Sequence, residues 1–309
     1  MRKAALNCVH ELAQVDERVV FVGSDLGPGV LAKMQEEFPS RWFMEGVSEQ
    51  HIVGMAAGMA MEGFVPYVNT IATFLTRRCY EQVAVDLCLH DLPVRLIANG
   101  GGGVYAPLGP THLALEDIAI MRALPNMTVV APCDADEMRR LMPCTLDWPH
   151  PIYIRLAKGG DPIVSDAKRG FVIGRSIQMR EGSDGLFVTT GVMTQLALKA
   201  ADELDKEGIR VGVRHVHTIK PLDTDGLLSA ISAVPAVITV EEGFVNGGLG
   251  SAILEVCSEH APSDLRKIRR MGVVDEFPTA YGSQETLLAS WGITVSTLVS
   301  ALREKLSAR

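Results

Sequence analysis

The chain has 309 residues, with 29 lysines and arginines against 37 aspartates and glutamates, and a formal net charge of −8 at pH 7. Its 47% hydrophobic and 21% charged residues are globular composition, with length enough for two domains, and exclude disorder as the main state. The acidic balance argues against nucleic acid or an anionic membrane surface as the main partner, but leaves room for a small anionic substrate held by a local arginine.

The first residues, Arg2, Lys3 and Leu6, start like a signal peptide, but Glu11, Asp16 and Glu17 arrive before an apolar region can form. The most apolar stretch, residues 52–61, is stopped by Glu62 and is too short to span a bilayer. A cytoplasmic chain with no membrane partner is expected. The six cysteines form no CxxC pair and have no zinc-finger spacing, so buried reduced thiols are expected.

Short Val/Ile-rich runs at 19–23, 65–71, 94–98, 127–131 and 152–155 predict buried strands. Helical patterns lie between them, at roughly 48–62, 76–90, 113–123 and 134–146. The segment 157–184 breaks the rhythm with Gly, Asp, Lys and Arg. The alternation restarts with strands near 186–191, 210–216 and 236–240, and helices near 194–207, 248–260 and 294–307. The fold class is α/β, with two domains that each hold a mostly parallel sheet covered by helices on both faces. The expected division is a first domain over 1–165, a linker over 166–185 and a second domain over 186–309.

Ligands in such sheets sit beyond the carboxyl ends of the strands, and four constellations fall there. Ser48 is a good N-cap, which puts Glu49 in the first turn of an apolar helix expected to be buried nearly all round. A carboxyl at such a mouth is desolvated; the plainer alternative is a surface Glu favouring the helix dipole. Gly54, Ala57 and Gly58 give that helix a face without bulk, open to close approach by another helix. Next, Phe74, Arg77 and Tyr80 or Arg78 recur at helical spacing, a face able to stack a flat heterocycle or simply to pack a core. Then Asn99 is followed by four glycines, a mobile or close-approach loop leading to Gly109-Pro110-Thr111-His112. It is neither a dinucleotide fingerprint nor a P-loop; His112 at the sheet mouth is either a proton-transfer group or structural. Finally, Arg155 ends a strand, where a guanidinium forks onto an anionic group or makes a salt bridge.

In order and spacing these motifs resemble the C-terminal portion of the transketolase superfamily of thiamine diphosphate (TPP) enzymes. The resemblance rests on Gly46 to His51 with Ala56-Ala57-Gly58, Thr73 to Tyr80, Gly109 to His112, and Arg122 to Met127. It continues through Thr218 to Asp223, Glu241-Glu242-Gly243 and Gly247 to Gly250, nearly the whole chain. It implies a pyrimidine-binding domain followed by a transketolase C-terminal domain. It implies that Glu49 bonds the aminopyrimidine of TPP, that Phe74 stacks on that ring with Arg77 and Tyr80 nearby, and that Asp25 lies near the cofactor at a subunit interface. His112 matches an active-site histidine, and Arg155 the arginine that anchors the distal anion of the sugar.

The Gly-Asp-Gly segment that holds the TPP diphosphate and Mg²⁺ in this superfamily does not occur in this sequence, and no metal ligand is assigned to this chain. The resemblance therefore implies a split transketolase whose partner carries the diphosphate domain, in an α₂β₂ assembly. Leu108 stands where single-chain transketolases carry an Asp that reads a substrate hydroxyl, Gly100 where they carry a second His, and Gly29 where they carry a phosphate-binding Ser. An altered sugar, shorter, branched or sulfonated, is expected. The expected activity is two-carbon ketol transfer from a ketose, expected as a phosphate, to an aldose. The competing readings are a decarboxylating relative, similar to deoxyxylulose-5-phosphate synthase or the β-subunit of a 2-oxo acid dehydrogenase, and a non-catalytic subunit.

Overall fold

The computed structural model describes residues 1–26, 29–157 and 159–308. Its first unit holds β1 (Val19–Gly23), β2 (Trp42–Met44), β3 (Val65–Ile71), β4 (Arg95–Asn99), β5 (Thr128–Val130) and β6 (Ile152–Leu156). Its helices are α1 (Arg2–Val15), α2 (Ala32–Glu37), α3 (Glu49–Met61), α4 (Ala72–Thr76), α5 (Tyr80–Gln82), α6 (Asp117–Ala123) and α7 (Ala135–Thr145). These six strands pair in parallel, and their side chains alternate between two cores. Val22, Val68 and Leu96 face a cluster closed by α3, α4 and α6. Phe21, Tyr67 and Ile97 face one closed by α1, α2 and α7. Burial on both faces is what makes these strands read as continuous apolar runs.

The second unit holds β7 (Ile177–Arg180), β8 (Gly185–Thr189), β9 (Val211–His215), β10 (Thr218–Lys220), β11 (Val237–Phe244) and β12 (Ile268–Val273). Its helices are α8 (Met193–Asp205), α9 (Thr224–Ser232), α10 (Leu249–His260), α11 (Gln284–Ser290) and α12 (Val295–Ser307). Five strands form its sheet in the order β12-β11-β8-β9-β7, with β7 the antiparallel edge. β10 leaves that unit and pairs antiparallel with β5, completing the first sheet as β10-β5-β6-β4-β3-β1-β2. The two units are thus stitched by a shared sheet. The segment expected as a linker, 166–185, contains β7 and the start of β8.

Two helical expectations changed. The helix predicted over 76–90 is broken by a turn at 77–79 and continues as a π-helical stretch over Val83–Leu89. In α3 the buried residues are Glu49, Ile52, Val53, Ala56, Ala57 and Ala60, one stripe and not the full circumference. Gly58 and Met61 lie outside that stripe, because nothing among the described residues covers that side. The stretch Gln284–Ser307 reaches a mean hydropathy of 1.2, which by length and composition passes for a membrane span. It is folded as two helices, with Leu287, Leu298 and Leu302 in the core of the second unit.

Candidate active site

Glu49 opens α3 at the carboxyl-end side of the first sheet and is 3% exposed. Ser48 takes the N-cap position, yet its hydroxyl donates to the Glu45 carbonyl at 2.9 Å and caps no helix amide. The Glu49 carboxylate is held instead by Arg78, whose Nη1 donates to Oε2 at 2.7 Å. A buried carboxylate needs such a counter-charge to remain ionised. Among the described residues, Oε1 accepts no hydrogen bond.

Arg78 makes a second contact. Its guanidinium carbon stands 4.0 Å from the centre of the Phe74 ring, within cation–π range. His112 meets Phe74 edge-on at 5.3 Å between ring centres, and its Nδ1 is 2.9 Å from Thr111 Oγ1. Glu49, Phe74, Arg78 and His112 therefore form one contiguous group. Sequence spacing offered Arg78 only as an alternate. Its i, i+4 relation to Phe74 is the signal that selects it, and the turn at 77–79 is why a continuous helical face did not.

Arg77 and Tyr80 turn elsewhere. Arg77 Nε pairs with Glu116 at 3.0 Å and donates to Thr73 Oγ1 at 2.7 Å, and Nη2 reaches the Leu113 carbonyl at 3.3 Å. It ties α4 to the loop that carries His112. The Tyr80 hydroxyl donates to the Ile120 carbonyl at 2.8 Å, so this ring serves the contact with α6. Asp25 is exposed in the loop after β1 and accepts from the Ser24 hydroxyl at 3.0 Å.

Arg155, like Glu49, is buried: its side chain is 5% exposed and engaged inside the protein. Nε donates to Asp117 Oδ2 at 2.7 Å, and Nη2 to the carbonyls of Glu242 at 2.6 Å and Ala114 at 3.2 Å. Tyr153 donates to the same Asp117 oxygen at 2.8 Å. Arg155 is a buried clasp between the two units. Of the two expectations, the salt bridge is formed.

The glycine loop 100–103 is buried and packed, so of the two expectations close approach is the one the structure bears out. A Cβ on Gly101 would overlap the Arg155 side chain, and one on Gly102, at φ +69°, would overlap Glu242. Glu242 is 2% exposed; its Oε1 accepts from Gly103 N at 2.9 Å and Gln284 Nε2 at 2.8 Å, and burial pushes its carboxyl up. The second unit thus holds the loop leading to His112. Cys79 is buried behind the site with its thiol pushed up to about 12 by burial, a setting for an inert sulfhydryl.

The aminopyrimidine half of TPP fits these residues: Glu49 has one oxygen unused, and Phe74 is a half-buried aromatic ring. Arg78 now lies on that ring.

Two family models match the chain. The one described as the transketolase pyrimidine binding domain covers residues 1–160, and the one described as the transketolase C-terminal domain covers residues 174–298. A 6-deoxy-6-sulfo-D-fructose transketolase subunit of Clostridium sp. (strain MSTE9) is 34% identical over 98% of this chain and 94% of its own length. An apulose-4-phosphate transketolase subunit of Phocaeicola vulgatus is 33% identical over 94% and 93%. A 1-deoxy-D-xylulose-5-phosphate synthase of Heliobacterium modesticaldum is 37% identical, and the chain spans 45% of it. A solved structure described as a split gene transketolase, inactive beta4 tetramer, aligns at TM-score 0.90 and 35% identity over 99% of this chain and 98% of that one.

Proposed function

The chain belongs to the transketolase family, and we propose that it is the pyrimidine-binding and C-terminal subunit of a two-chain, TPP-dependent transketolase. The observation that carries this reading is Glu49, buried at the mouth of α3 with one carboxylate oxygen unused, beside Phe74 and His112. In this reading a partner chain supplies the diphosphate domain and the Mg²⁺ ligands, supported by two relatives named as transketolase subunits that the chain covers over 94% and 93% of their length. The side of α3 at Gly58, open among the described residues, supports close approach of another chain there.

In this reading TPP supplies the electron sink that lets a ketose C–C bond break. Glu49 Oε1 would hold the aminopyrimidine through a shared proton, in a side chain that is 3% exposed. Phe74 orients the ring. Arg78 must leave the Phe74 face as the cofactor enters. His112, fixed edge-on against Phe74 and at Nδ1 by Thr111, presents Nε2 to a substrate oxygen, where it gives or takes a proton. Arg77 and the glycine loop set the position of His112. Asp25 faces the cofactor from the loop after β1.

We infer an anionic ketose as donor. The two split relatives are named for a sulfonated and a phosphorylated sugar. Arg155 spends Nε and Nη2 on inner contacts, which leaves Nη1 for the anion. A decarboxylating synthase is the second reading, supported by the 37% identity to a synthase half. The test is one assay of the reconstituted complex with two donors. Ketol transfer from a ketose phosphate or sulfonate without CO₂ supports the transketolase; CO₂ release from pyruvate supports the synthase.

A further inference from the structure

Where the two units meet lies a buried set of metal-ligating side chains to which the proposed ketol transfer assigns no role. Cys133 precedes α7, Glu137 lies in its first turn, and His215 ends β9. All three are 0% exposed, and their ligand atoms lie within 4.8 Å of one another. A tetrahedral zinc site has ligand–ligand edges of about 3.3–3.8 Å, so closing the set needs side-chain movement of about 1 Å.

Two further observations point to a cation. Glu137 Oε2 is occupied by Cys133 N at 2.7 Å and His215 Nε2 at 2.8 Å, but Glu137 Oε1 is buried with no partner among the described residues. His217, stacked on Phe171 at 4.1 Å, buries an Nε2 that likewise has no partner among them. A buried carboxylate oxygen without a partner is costly, and a cation removes that cost. The far side of His215 is already fixed: Thr194 Oγ1 sits 2.8 Å from Nδ1 and is itself 2.8 Å from Thr189 Oγ1. That becomes the outer support of a metal-bound imidazole once the proton that Nε2 shares with Glu137 Oε2 has moved to Nδ1, which frees Nε2 for the ion.

We propose that Cys133 Sγ, Glu137 Oε1 and His215 Nε2 bind a zinc-class divalent cation that fastens the second unit to the first. The three ligands, one thiolate, one carboxylate and one neutral imidazole, cancel the two positive charges, and the Asp134 carboxylate adds a negative charge beside them. Binding releases the Cys133 thiol proton to solvent and moves the His215 proton to Nδ1. No redox step is involved. Sulfur and imidazole together favour zinc over magnesium or calcium. Asp134 and His217 flank the set, with Asp134 Oδ2 3.8 Å from the Cys133 sulfur.

The test is a Co²⁺ titration of the full chain after dialysis against chelator. One equivalent per chain should bind, with the near-ultraviolet thiolate-to-cobalt absorption band. Cys133→Ser and His215→Gln should each remove that band and weaken binding by about 100-fold or more, exceeding the loss from an outer-shell change. Cys144→Ser, at the exposed cysteine, should change nothing. Zinc should raise the melting temperature of the wild type but not of Cys133→Ser, which keeps the size of the side chain if His215→Gln fails to fold. No bound cobalt, or a thiolate band that survives in Cys133→Ser, overturns the proposal.

Discussion

Arg78 is bound to Glu49, its Nη1 donating to Oε2 across 2.7 Å, and the same guanidinium lies 4.0 Å from the Phe74 ring centre. A flat cation thus spans the carboxylate and the aromatic face proposed for the cofactor. Arg78→Ala removes this competitor. TPP should then bind the reconstituted complex about 3–30-fold more tightly, the size of an ion pair and a cation–π contact at a partly exposed site. Calorimetry reads this. A tenfold weaker affinity would make Arg78 a cofactor ligand instead.

Glu49→Ala should leave the fold intact by circular dichroism and lower turnover of the complex by at least about 100-fold, the scale of a lost proton-transfer group. Glu49→Gln keeps the shape but has no carboxyl group, so it should fail similarly. Near wild-type ketol transfer by either variant would end the assignment of Glu49.

Arg155→Ala leaves Asp117 buried without its cation. Removing one partner of a buried pair costs about 3–5 kcal/mol, so urea unfolding should show a loss of that order. A variant of unchanged stability with a raised KM for the anionic sugar would leave Arg155 the substrate-binding role alone.

Gly102→Ala places a methyl against Glu242 in a left-handed backbone conformation. Strain and overlap together should cost about 2–5 kcal/mol in the same assay. Equal stability would mean that the loop is looser than its packing indicates.

Burial raises the Glu242 carboxyl in the folded chain. A group raised in this way adds stability fully present below its unfolded pKa of about 4.5 and lost as pH rises through the folded value. Glu242→Gln removes that dependence. Unfolding free energy should therefore fall less steeply in the variant than in the wild type as pH rises above about 4.5. Parallel curves would contradict the burial argument.

The strand runs were legible because each strand of the first sheet is buried on both faces, as alternate residues such as Phe21 and Val22 show. The edge strand β7 and the visiting strand β10 were not, since each is short and paired on only one side. Glu49, Phe74 and His112 were found by motif order, and the structure brings them together. The inner contacts of Arg155 were not legible, because strand position does not reveal that Asp117 and the Glu242 carbonyl meet it in three dimensions. Arg78 was undervalued because periodicity assumes an unbroken helix, and the turn at 77–79 breaks it. The cation set joins residues 133 and 215, a pairing that no local pattern signals.

Calorimetry of TPP–Mg²⁺ with this chain alone, and with a partner carrying the diphosphate domain, tests the central claim most directly. The split-enzyme account predicts tight binding only in the mixture, abolished by Glu49→Ala. Tight binding by the chain alone would contradict it.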